Sequence, residues 1–197
     1  MVGVVVYVLI NVILQPLPPH YSPISDAESN LAVGPYGWIM SINFFGRAVL
    51  TAFAIIALLQ CGVPGRLRNT GLVLFGMAGV CSGLLAFFPT DIPVPGAHSI
   101  AATTTSGTIH VVLATSGFVL ALIGFLLLTE WIRRNPLLRH GFPLAVGFVT
   151  LAFVGLLSLG ATIAFAPQFL GLAERICLAG ILGWAFVVCN TVRRLPG

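Results

Sequence analysis

Charge is what this chain most lacks. Only 7% of its 197 residues are charged, against about 25% in a soluble domain, and none is lysine, so all 9 basic residues are arginine. So little charge excludes a water-solvated domain of this size, and 58% hydrophobic residues point to a membrane instead. The apolar residues come in long blocks without alternation, which excludes a β-barrel and leaves helical spans. The arginines lie mostly at block ends and form no stripe, so no nucleic-acid partner is expected. Cys81, Cys177 and Cys189 fall inside apolar segments and Cys61 beside an arginine-bearing loop, so no disulfide framework is expected. The sequence holds no HExxH, Walker loop, GxSxG, CxxCH or CxxC pattern. Haem is not expected, because His110 alone is placed to reach the interior; no cofactor is expected, and a bound lipid is the one such molecule the chain leaves room for.

What is present is a set of six apolar blocks, roughly 1–15, 37–60, 70–88, 108–129, 144–165 and 172–192. They predict an all-α membrane protein, a single six-helix transmembrane bundle over residues 1–197 with the lipid bilayer as its main partner. The first block is short: to Leu14 it rises about 21 Å against a hydrocarbon core about 30 Å thick, and it lacks the basic region and cleavage site of a signal peptide. A late start of the sequence is the favoured explanation, a short first helix the other.

The connections differ in charge. Arg66 and Arg68 lie between the second and third blocks, Arg133, Arg134 and Arg139 between the fourth and fifth, and Arg193 and Arg194 in the tail, whereas the other connections hold Asp26, Glu28 and Asp91. The positive-inside rule then places both termini in the cytoplasm, with two long loops facing outward. In the first of these loops Ser25 and Glu28 have capping-box spacing, with Ser25 as cap of a short interfacial helix and Glu28 reaching back to it. In the second, Pro89, Pro93 and Pro95 forbid a helix and predict an extended lid. Small residues recur inside the blocks: Gly79 and Gly83, then Gly107, Ala114, Gly117, Ala121 and Gly124. They allow close helix packing within the chain, and the same faces are available for a homodimer or a larger membrane complex.

The blocks YSPISD, GPYGW and NFFGRAV, followed by FPTD and GTIHVVLA, resemble the family of bacterial and archaeal integral membrane proteins called domain of unknown function 998. The resemblance covers nearly the whole chain. It implies a six-helix protein of a prokaryotic plasma membrane and carries no activity with it.

The residues able to do chemistry are few. At about 100° per residue, Tyr36, Met40, Asn43, Arg47 and Thr51 share an arc of the second segment, so Arg47 is expected to point into the bundle near mid-membrane, where an arginine needs a partner or a polar cavity. Glu174 is the first candidate partner and Asp91 the second. One reading makes the pair a registry device; another leaves Arg47 to hold an anionic or lipid-like ligand, with Asn43, Tyr36, Glu174 and His110 around it. A gated Arg47–Glu174 pair would serve a small transporter. Asp91, His98 and His110 are the candidates for an outward-facing hydrolase or transferase site. Their spacing of seven and twelve fits no compact metal motif, so zinc is not expected even though the groups are suitable ligands. His110 shares a face with Thr103 and Ser106, and either a hydroxyl or carbonyl partner or a titrating role suits it.

Overall fold

A computed structural model of the chain describes residues 1–62, 64–92 and 102–195. Within them lie six α-helices: α1 (Val2–Leu14), α2 (Gly37–Leu59), α3 (Arg66–Leu85), α4 (Thr105–Arg134), α5 (Phe142–Phe165) and α6 (Leu170–Arg193). Short 3-10 helices occupy Glu28–Ala32, Arg139–Gly141 and Pro167–Phe169, and no strand occurs among the described residues. Each apolar block has become one helix.

Four of the six, α2, α4, α5 and α6, are long and apolar enough to cross a membrane, which makes this a multi-pass membrane protein. By that measure α1 and α3 fall short of the six spans expected. With 13 residues α1 is too short, and α3 spends its first turn on Arg66, Arg68 and Asn69, which lowers its mean hydropathy. Residues Ile42, Phe45, Phe53 and Ile56 of α2 and Val154 and Leu157 of α5 are exposed, a surface suited to hydrocarbon rather than to water.

Glycine sets how closely the helices approach. A methyl group on Gly155 of α5 would meet the backbone of Cys177, and one on Gly180 of α6 would meet the backbone of Ala152. Across α3 and α4, Gly124 faces the backbone of Gly71 and Phe75, while Gly117 faces Cys81. Gly79 and Gly83 turn to Thr51 and Ala48 of α2. Gly79, Gly83, Gly117 and Gly124 therefore pack against neighbouring helices of the same chain.

The buried centre is aromatic. Phe125 stacks on Trp184 with ring centroids 3.9 Å apart, Phe75 meets Phe125 edge-on at 5.0 Å, and the Trp184 indole donates to Thr129 Oγ1 at 2.8 Å. An indole in this position needs such an acceptor.

The bundle is polarised end to end. Gly62 lies against Asn135 and Gly141 against Thr191, so the connections carrying Arg66, Arg133, Arg134, Arg139 and Arg193 gather at one end. There Glu130 accepts from Arg133 at 2.7 Å and from Arg134 at 2.6 Å, exposed pairs that add little stability. At the opposite end Leu172 N–H donates to Ile24 O at 2.9 Å, fastening the loop that carries Asp26 and Glu28 to the start of α6.

Candidate functional site

Tyr7 and Asn11 are one helical turn apart on α1, share its inner face, and are both buried. The Tyr7 hydroxyl donates to Glu28 Oε1 at 2.8 Å and Asn11 Nδ2 donates to the same oxygen. Glu28 is thus drawn inward and is only 3% exposed. The expected capping box does not form: the 3-10 helix begins after Ala27 with no side-chain cap. Two donors inside an apolar bundle outcompete a local cap, and the Glu28 N–H is satisfied across the structure by Glu174 Oε2 at 2.7 Å. Burial raises the Glu28 carboxyl above the usual carboxylate range, opposed chiefly by the charge of Arg47.

Arg175 holds this loop in place. Its Nη1 donates to Pro23 O at 2.8 Å, Gly171 O at 3.0 Å and Asp26 O at 3.1 Å, and its Nη2 donates to the Tyr21 hydroxyl. Its Nε is buried without a hydrogen-bond partner among the described residues, and its charge acts on the nearby Glu28 carboxyl along with that of Arg47.

Arg47 is positioned differently. Its Nε donates to Ser82 Oγ at 2.7 Å and its Nη1 to the Tyr7 hydroxyl at 3.1 Å; the guanidinium carbon lies 5.3 Å from the Tyr7 ring centroid and 5.5 Å from that of Phe44. Ser82 is itself oriented by donating to Phe44 O at 3.0 Å. Among the described residues the only salt bridges are those of Glu130, so the expected ion pair of Arg47 with Glu174, or with Asp91, is absent. Glu174 is held through Oε2 by a backbone amide and Arg47 through Nε and Nη1 by two hydroxyls, which keeps the two side chains apart.

These groups surround a cavity of about 260 Å³ lined from α1, α2, α3, α4, α6 and the Glu28 loop. Tyr7, Glu28, Arg47, Ser82, His110 and Glu174 form its polar end, and Phe53, Ala57, Ile181, Ala185 and Val192 continue it as an apolar channel. Arg47 Nη2, Glu28 Oε2 and Glu174 Oε1 make no hydrogen bond to any described residue. A second cavity of about 120 Å³, toward Asp26, Asp91, Leu159 and Ile163, shares the wall formed by Ser29, His110 and Glu174.

The remaining predicted residues divide. His110, 3% exposed, donates from Nδ1 to Phe88 O at 2.6 Å; because a carbonyl only accepts, Nδ1 carries the proton and Nε2 is left as an acceptor. Asn43 is buried but lies outside the cavity lining, tying α2 to α1 by donating to Tyr7 O at 3.1 Å. Tyr36 is half-exposed before α2 and does not line the cavity. His98 lies outside the described residues. No group of three metal-ligating side chains occurs among the described residues.

Asp91 braces the start of α4, whose N-cap is Thr104. Its Oδ2 accepts from Thr103 N–H at 2.6 Å and Thr104 N–H at 2.8 Å, and its Oδ1 from Thr104 Oγ1 at 2.7 Å, while Thr104 Oγ1 accepts from Gly107 N–H at 3.0 Å. The Thr104 bonds, followed by those from Thr103, lower its carboxyl to about 2. A depressed carboxylate stabilises the fold above its ordinary pKa and ceases to do so as pH falls through the lowered value. Asp91→Asn is therefore expected to lower the thermal midpoint at neutral pH and to remove the part of the acid-induced loss that falls between about pH 4 and pH 2. Equal midpoints for wild type and variant at pH 7 would show that Asp91 does not brace the start of α4.

The family described as "Protein of unknown function (DUF998)" matches residues 1–191. The chain belongs to this family. No curated protein and no solved structure matches it, so the site of this DUF998 protein must be read from its own geometry.

Within that geometry, sequence reasoning reached Arg47, Glu174 and His110 but passed over Tyr7, Glu28 and Ser82. Tyr7 and Asn11 did leave a signal, two polar residues spaced i, i+4 on an otherwise apolar helix. Glu28 did too, as one of only 5 acids in the chain, but its local capping spacing drew the reading away from its long-range partners. Ser82 is masked by the small-residue pattern around it.

Proposed function

We propose that this DUF998 protein is a six-span plasma-membrane protein with both termini in the cytoplasm, and that it binds a small anionic or lipid-like ligand in the larger cavity with Arg47 as the anchor. The observation that carries this reading is the state of Arg47: a guanidinium near the middle of α2, held by two neutral hydroxyls, without a carboxylate partner among the described residues, and lining a cavity. A buried arginine usually has a partner or borders a polar cavity, and its planar fork suits a carboxylate, sulfonate or phosphate. The clustering of arginines at the opposite end supports the orientation, which makes the polar end of the cavity the outer one. The apolar channel below Arg47 suits a hydrocarbon tail.

Native mass spectrometry of protein released from lipid nanodiscs tests the reading. Wild type is expected to retain a discrete anionic species, identified by its mass as a lipid or a free acid, and Arg47→Gln to release it. A wild type that emerges bare, or a variant that keeps the same adduct, would overturn it.

A further inference from the structure

The lining of the cavity's polar end sets two carboxyls against one guanidinium. Arg47 is the one guanidinium in its lining among the described residues, Glu28 and Glu174 both line it, and Arg175, bonded outside the lining to loop carbonyls and Tyr21, adds a second positive charge beside Glu174. Resting on the ligand reading above, we propose that an anion reaches Arg47 only together with a proton, taken up from the outer solution by the Glu28 and Glu174 carboxyl pair.

The physical reason lies in the connections. The Tyr7 hydroxyl accepts from Arg47 and donates to Glu28, so the guanidinium is the cation that helps hold Glu28 ionised. An arriving anion shares that charge and leaves two carboxylates facing it in a medium of low dielectric, where like charges interact strongly. Two carboxylates sharing one site do not both stay ionised. Protonating one cancels the charge that the anion brings. Glu174, joined to the Glu28 amide at 2.7 Å, belongs to the same unit, so the proton is assigned to the pair and not to either member.

The titratable and charged groups around the pair are Tyr7 on α1, Tyr21 and Asp26 in the first loop, Arg47 on α2, Asp91 across the second cavity, His110 on α4, and Cys177 and Arg175 beside Glu174 on α6, while α3 contributes the non-titrating Ser82. His110 is the other group that could take the proton. It shares the wall between the two cavities but donates Nδ1–H to Phe88 O and makes no bond to either carboxylate among the described residues. The burial that raises the Glu28 carboxyl acts in the same direction as the proposed uptake.

Octanesulfonate is a suitable probe, since it remains an anion throughout and has a tail for the apolar channel. Calorimetric titration of the full chain in nanodiscs, repeated in buffers of different ionisation heat, counts the protons taken up. About one proton per ligand is expected, with affinity rising about tenfold for each unit that pH falls, the slope for one linked proton. His110→Gln should keep the slope, and Glu28→Gln with Glu174→Gln should bind at all pH values without it. Binding with no proton uptake, or a slope that survives in the double variant, would overturn this inference and leave Arg47 as the anchor. No binding at any pH would overturn both.

Discussion

Gly180→Leu is expected to prevent α5 and α6 from docking and to leave little folded protein. The obstacle is main chain: a side chain at Gly180 points at the backbone nitrogen and Cα of Ala152, and one at Gly155 at those of Cys177. No rotamer relieves that, so the helices must separate along their length. Overpacking a core costs about 1–3 kcal/mol where side chains can shift; with backbone as the obstacle about 3 kcal/mol is a lower figure, set against a typical total of about 5–15 kcal/mol. In a bilayer the loss is severe for a second reason. Lipid tails supply no hydrophobic force between helices, so close van der Waals packing carries the association. The control is Gly160→Leu, a position with open space around it, expected to change stability by no more than about 0.5 kcal/mol. Unfolding in mixed micelles by increasing SDS fraction measures both. Equal midpoints for the two variants would show that the α5–α6 contact is looser than the structure has it.

The second large effect is expected at Arg47. Arg47→Leu removes the guanidinium from Tyr7 and Ser82 and leaves the buried Glu28 carboxyl with Tyr7 and Asn11 alone. Breaking a buried ion pair costs about 3–5 kcal/mol; here the link runs through a hydroxyl, so about 2 kcal/mol is expected, much of it recovered by adding Glu28→Gln, which needs no counter-charge. The sign of the pH dependence follows from the same groups. A carboxyl whose pKa is raised on folding binds its proton more tightly in the native state, so its contribution is full below the ordinary carboxylate range and is lost as pH rises through the raised value. Removing Arg47, the foremost influence opposing that rise, widens this window upward. Arg47→Leu should therefore be closest to wild type in acid and fall further behind as pH rises, and the double variant should not show the trend. A single variant that loses stability equally at all pH values would mean that Glu28 does not depend on Arg47.

These two sites show how far the sequence could be read. Helix number followed from apolar blocks, because the need to satisfy backbone groups in hydrocarbon leaves so few alternatives. The inward direction of Arg47 followed from helical periodicity on α2, and that of His110 from the small residues below it on α4. Partners were harder, because periodicity says which way a side chain points and not what it meets. Arg47 and Glu174 were matched by charge and depth, yet each found a different partner: a serine on α3 and a tyrosine on α1 for one, a backbone amide for the other. Glu28 illustrates the same limit from the other side. Its short-range spacing to Ser25 fits a cap, but tertiary contacts some twenty residues away decide its position. The close approach of Gly155 to the α6 backbone was not singled out at all, because an isolated glycine in an apolar helix carries no spacing signal.

The most direct test is an experimental density map of the wild-type protein in a native-lipid nanodisc, read around Arg47. Expected is non-protein density in the cavity, in contact with Nη2, while Nε and Nη1 stay on Ser82 and Tyr7. An Arg47 side chain turned onto the carboxylate of Glu28 or Glu174, above an empty cavity, would contradict its role as a ligand anchor.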